Sequence, residues 1–165
     1  MPENLMAEAC SSFKQVSYAK LNARQKELFN FQKLAATFAD RGFNCIKLAD
    51  DWQGADFIAY HATENLTLKV QLKSRLTLNL KKYGGKDKDI WIAFPHGAPH
   101  DRYWYLMQHG RLVEKVGSYT IWLKSDSWLQ KGGYSSTSIN SALLDSLIED
   151  RLGPVYGTIL DLDET

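Results

Sequence analysis

Cysteine is scarce. Cys10 and Cys45 are the only two in the chain, and they stand in no metal-binding or redox spacing. That excludes a thiolate metal motif and a dithiol redox motif, and two free thiols fit a reducing cytoplasm. No apolar run approaches a membrane span. The opening stretch, MPENLMAEACSSFKQ, lacks the positive flank and apolar block of a secretory leader. Charge of one sign is lacking too: the net value is only +1, so the molecule as a whole is no polycation. There is no internal repeat, no long linker, no nucleotide-binding glycine motif and no arrangement for Ser–His or Cys–His catalysis.

What is there reads as one domain over residues 1–165, with 44% apolar and 24% charged residues. Its core spans about 20–153. Residues 1–19 form an N-terminal extension, with a short amphipathic helix expected over 3–18, and residues 154–165 form a tail. The charge is unevenly placed. Between Lys69 and Lys88 seven cations face the single acid Asp87, whereas Asp145 to Thr165 holds six acids and only Arg151. A local basic zone can engage phosphates even in a neutral molecule, although a solvated lysine-rich surface has the same composition.

Helical spacing predicts a helix from Asn22 to Arg41, with Asn22 as its N-cap and Gly42 as its stop. Phe31, Leu34 and Phe38 form its apolar line, and Glu27 lies on that line near the helix start. A boundary carboxylate near the positive end of the helix dipole is the plain reading of Glu27. FNCIKLA (43–49) reads as a strand, DDWQG as a turn, and DIWIAFP (89–95) as a short apolar strand ended by Pro95. RYWYLMQ and RLVEKV read as a second hairpin around His109-Gly110, YTIWL as an edge strand, and SINSALLDSLIEDRLGP as a helix with Ser138 before it and Gly153-Pro154 after it. Helix, strands, helix in that order predict an α/β or α+β sandwich.

The most informative stretch is GADFIAYHATENLTLKVQLKSR (54–75). With ATEN (62–65) as the turn, Asp56 faces Gln71, Gly54 faces Lys73, Ile58 faces Lys69 and Tyr60 faces Thr67. One face then carries Asp56, Gln71, Lys73 and Lys69, and the other carries Phe57, Ala59, Leu68 and Val70. An ordinary hairpin with one wet face explains much of this. Asp inside a strand nevertheless needs a local reason. Phosphodiester hydrolysis supplies one, because Mg²⁺ takes one or two carboxylates and keeps several waters.

Glu27 in RQKELFNF, Asp56 in GADFI, and Gln71 and Lys73 in VQLKS resemble the PD-(D/E)xK nuclease superfamily, in a Q-x-K variant. The resemblance covers about residues 22–95. It implies a restriction-endonuclease-like α/β fold, a central mixed sheet flanked by helices, and Mg²⁺- or Mn²⁺-dependent cleavage of DNA, with RNA as the alternative substrate. Asp56, Gln71 and Glu27 would serve the metal, Lys73 would position the nucleophile, and Lys69, Arg75, Lys81, Lys82 and Lys86 would contact backbone phosphates. Gln71 stands where the family usually has Glu or Asp, which removes a negative charge and keeps a non-catalytic nucleic-acid-binding or assembly subunit open. The family also places a crossover helix after the lysine strand, where only Leu76 to Lys88 is available and YGG breaks a helix. A cytoplasmic setting without membrane contact is expected, and a homodimer is one assembly open to it.

Four further features carry weaker expectations. His96 and His100 are four apart, but the prolines of PHGAPH exclude a helix, so an exposed loop is expected rather than a metal pair. Asp50-Asp51 reads as turn chemistry, with an approach to the metal as its alternative. GGYSSTS (132–138) reads as a loop and N-cap, with phosphate binding as its alternative. Trp52 and Tyr83 lie near the basic zone and could stack on bases.

Overall fold

A computed structural model describes residues 14–86 and 88–153. The expected N-terminal helix falls largely outside the described residues, and so does the tail 154–165. Where described, residues 14–17 are not helical, and a single 3₁₀ turn follows at Tyr18–Lys20. The first long element is α1 (Ala23–Ala39). Asn22 caps it: its side chain accepts the Gln25 N–H at 2.9 Å, and the Gln25 side chain accepts the Asn22 N–H at 2.9 Å. This reciprocal pair satisfies two donors that the first helical turn leaves free. Gly42, at φ +76°, closes the helix in a conformation that suits glycine.

The buried line of α1 is Asn30, Leu34 and Phe38. Glu27 shares that line by spacing but stays exposed one turn before Asn30, paired with Lys47, and Asn30 is drawn inward. The reason is a polar contact no periodicity can show. Asn30 Nδ2 donates to the Tyr18 hydroxyl at 3.0 Å, and its Oδ1 accepts from the Arg102 guanidinium at 2.6 Å.

Three strands follow: β1 (Phe43–Trp52), β2 (Ala55–His61) and β3 (Thr67–Leu72). They pair antiparallel in sequence order. The β1–β2 turn is made by Gln53 and Gly54, at φ 56° and 94°, the positive-φ pair that tight hairpins favour. The chain then leaves the sheet through β4 (Leu76–Asn79) and the one-turn helix α2 (Leu80–Tyr83). It re-enters as β5 (Ile90–Ala98), parallel to β3. The short crossover is thus a strand and a helical turn that ends at the glycines of YGG, with Leu76, Leu78 and Tyr83 fully buried.

The remaining elements correct several expectations. β5 runs through Pro95 to Ala98, because β3 pairs with it only as far as Ala93. Beyond that point the missing proline N–H costs no ladder bond on the β3 side. β6 (Asp101–Gln108) leads into the helix α3 (His109–Tyr119), so RLVEKV is helical. Leu112 and Val116 are buried one turn apart, and that helical period outweighs the strand preference of valine. YTIWL forms no strand; it holds a 3₁₀ turn at Trp122–Lys124. After α4 (Asp126–Lys131), β7 (Gly133–Ser136) pairs with β4, so GGYSSTS is half strand. α5 (Ser141–Ser146) is capped by Asn140 rather than Ser138, the Leu143 N–H meeting Asn140 Oδ1 at 2.7 Å. β8 (Arg151–Leu152) completes the main sheet.

The sheet is mixed and six-stranded, in the order β1-β2-β3-β5-β6-β8, and helices flank it. Leu34 and Phe38 of α1 cover one face, against Phe57, Ala59, Val70 and Trp104. Burying each such side chain contributes about 1.5–3 kcal/mol. On the other face Leu76, Leu78 and Tyr83 join Ile92, Leu112 and Leu143. The architecture is α/β. Among the described residues no helix is long and apolar enough to cross a membrane.

Candidate functional site

The central hairpin has the register expected of it: Ile58 pairs with Lys69 and Tyr60 with Thr67. Just beyond the Phe57–Val70 pair, Asp56 Oδ2 accepts from the Gln71 side-chain amide and from the Leu72 backbone N–H, the latter at 2.9 Å. This is the local reason for an aspartate in a strand. Its carboxylate satisfies a backbone donor at the end of the ladder.

Gln71 is 4% exposed. Its Oε1 accepts from the Tyr83 hydroxyl at 2.9 Å and faces the Lys82 ammonium at 3.5 Å. Those neighbours fix the amide orientation, since a flipped amide would set its oxygen against the Asp56 carboxylate. Gln71 therefore links Asp56 to Tyr83 and Lys82. Tyr83 is fully buried, so it offers no face to a base, whereas Trp52 is 50% exposed. The room that Gly54 leaves is filled by the Tyr83 ring: a Cβ at Gly54 would stand 3.2 Å from Tyr83 Cε1.

Lys73 continues this polar line. Its N–H donates to Ala93 O at 2.8 Å, and its ammonium lies 5.6 Å from the Tyr83 ring centroid. Burial holds its pKa below the ordinary lysine value and the Lys82 charge adds to that, while Asp56 and Asp51 pull it back up. Burial likewise raises the pKa of Asp56, against the Leu72 N–H and the Lys73 charge. For both groups desolvation is the largest cause, which is not the condition of a wet hairpin face. Asp51 closes the cluster from the end of β1. It is paired with Lys82, and that hydrogen bond lowers its pKa. The sequence places Asp51 five residues before Asp56, and turn chemistry is the favoured reading of it there.

The other candidates are dispersed around this centre. Glu27 is paired with Lys47 at 2.6 Å, with side chains 57% and 36% exposed. Lys47 pairs with Phe57 across the sheet, so it stands on the α1 face and Asp56 points to the opposite one. Glu27 reaches Asp56 only through its charge, the smallest of the named influences on that carboxyl. Lys69 donates to Gln53 at 2.9 Å and lies 5.4 Å from the Trp52 ring centroid. Lys81 Nζ is 3.5 Å from Gln130 O. Arg75 and Lys86 are exposed, and Arg75 lines a separate pocket. His100 Nε2 lies 2.8 Å from Val16 O, and His96 is half-buried on β5 beside Tyr105.

The fit to a divalent cation is narrow. Among the described residues no group of three or more His, Cys, Asp or Glu side chains is assembled to hold a metal ion. Both hydrogen bonds to Asp56 among the described residues fall on Oδ2, and Oδ1 takes none of them. The Gln71 oxygen is engaged by Tyr83 and Lys82, and Asp51 by Lys82. A hard ion here would have a single carboxylate oxygen from these residues, its other positions left to water and phosphate oxygens. No protein-family model, no curated protein and no solved structure matches the chain.

Proposed function

We propose that the chain is a metal-dependent nuclease that hydrolyses phosphodiester bonds, with DNA as its substrate, on a restriction-endonuclease-like fold. The observation that carries this reading is the line Asp56–Gln71–Lys73, where Asp56 is hydrogen-bonded to Gln71 and a desolvated carboxylate and a desolvated ammonium feel each other's charge near the end of the β2–β3 ladder. The chain order supports it as well: a helix, three antiparallel strands, a crossover, then a strand parallel to the third.

Asp56 would hold Mg²⁺ or Mn²⁺, and the ion when bound would polarise the phosphoryl oxygen and acidify water. Gln71 orients Asp56 by donating to Oδ2. Lys73, kept close by its backbone bond to Ala93, offsets phosphate charge and positions the attacking water. Lys69, Lys81, Lys82, Lys86 and Arg75 supply backbone contacts whose strength falls with salt. Glu27 acts on the site from a distance. A cytoplasmic setting and a homodimer belong to the same reading.

A second reading keeps the surface and drops the chemistry. The engaged Gln71 oxygen and the single free carboxylate oxygen favour a nucleic-acid-binding or assembly subunit. Cleavage of single-stranded, duplex and branched DNA, and of RNA, with Mg²⁺ or Mn²⁺ decides between them. Cutting that disappears in Asp56→Ala and in Lys73→Ala supports the nuclease. Salt-sensitive binding without cutting, unchanged by Asp56→Ala, supports the binding subunit.

A further inference from the structure

Directly after Lys73 the chain enters the wall of a second pocket of about 150 Å³. Ser74, Arg75, His96, Arg102, Ser136 and Thr137 supply its polar lining, and among the described residues no carboxylate lines it. Arg102 is anchored from behind. Its NH1 donates to Asn30 at 2.6 Å and its guanidinium lies 4.8 Å from the Tyr18 ring centroid. Its Nε is buried and has no hydrogen-bond partner among the described residues. Two guanidiniums and the hydroxyls of Ser74 and Thr137 around one concavity, with Ser136 Oγ already donating to Ser138 O, form a site for an anion. A volume of about 150 Å³ is well above what one water needs and has room for a phosphate group with part of its hydration.

We propose that this pocket binds a phosphate group of the nucleic-acid strand, adjacent to the phosphate that reaches Asp56 and Lys73. The identity of the strand rests on the nuclease reading; the anion site rests on the pocket alone. Arg75 is two residues from Lys73, so their Cα atoms stand within about 7.6 Å. A strand engaged at Lys73 thus has its neighbouring phosphate within reach of Arg75. Arg102, held by Asn30 and Tyr18, is the preorganised partner, and Arg75 closes from the exposed side.

The test is calorimetric titration of the full chain with inorganic phosphate, and then with short oligothymidylates bearing or lacking a terminal phosphate. Wild type, Asp56→Asn, Arg75→Ala and Arg75→Lys are compared. The expected result is phosphate binding that survives Asp56→Asn, weakens about tenfold or more in Arg75→Ala, and is partly restored in Arg75→Lys. Oligonucleotide binding should weaken in parallel. A terminal phosphate that adds affinity only when Arg75 is present marks a strand end as the occupant, and equal weakening with and without it marks an internal phosphate. No phosphate binding, or binding indifferent to Arg75→Ala, overturns the site. Phosphate binding lost in Arg75→Ala with oligonucleotide binding unchanged overturns the strand assignment and leaves free phosphate as the ligand. Absence of cleavage would overturn the nuclease reading while leaving the phosphate titration informative.

Discussion

The Tyr83 hydroxyl donates to Gln71 Oε1 at 2.9 Å, and the same glutamine donates to Asp56. A residue from the crossover thereby sets the orientation of a carboxylate on β2. Tyr83→Phe should leave the buried Gln71 oxygen with only the longer Lys82 contact. The expected cost is about 1–2 kcal/mol of stability, read by urea denaturation. If Gln71 aligns Asp56 for reaction, the variant also loses cleavage rate at unchanged substrate affinity; an unchanged rate would remove Tyr83 from the site.

Gln71→Glu tests the missing charge. A second carboxylate beside Asp56 repels it, raising the pKa of the pair and lowering stability without metal. The same charge should strengthen binding of a divalent cation. The expected outcome is a lower melting temperature in chelator and a larger rise on adding Mg²⁺ than wild type shows. Equal responses to Mg²⁺ would argue against an ion at Asp56.

Asp56 carries a pH signature. Its pKa is raised above 3.8 by burial, so the folded chain holds that proton more tightly than the unfolded one. Its contribution to stability therefore falls as pH rises from 3.8 through the folded value, and is level above it. Asp56→Asn should flatten that part of the stability profile. The variant gains over wild type at neutral pH and loses the gain below 3.8. Denaturation at several pH values measures this, and parallel profiles would mean that Asp56 is not desolvated.

Gly54→Ala joins fold and site. At φ +94° a side chain is strained, and the added Cβ stands 3.2 Å from the Tyr83 ring. The strain costs about 1–2 kcal/mol, and displacement of the ring adds to it. Ala39→Gly, at an exposed position on the last turn of α1, serves as a control for general loss of stability without displacement of Tyr83. Cleavage should fall in Gly54→Ala more than in a control of matched stability.

Local signals were legible where they are self-contained. The N-cap at Asn22, the Gly42 stop and the β2–β3 register follow from turn chemistry and strand alternation over a few residues. RLVEKV was not legible in the same way. Valine and leucine in a short run suit a strand, and the burial that makes α3 a helix comes from packing against the sheet's second face. Glu27 shows the same limit. Its spacing aligns it with Phe31 and Leu34, but Lys47 on β1 holds it outside.

The sequence by itself determined a hairpin that sets Asp56 across from Gln71, with Lys73 two residues on, because alternation along paired strands depends only on register. Tertiary structure alone decided that this face is half dry and that Tyr83, Lys82 and Asp51 share it. Those residues come from the crossover and from the end of β1. Tyr83 and Lys82 meet Gln71 because β5 returns parallel to β3 and draws the crossover across the sheet, and Lys82 in turn pairs with Asp51.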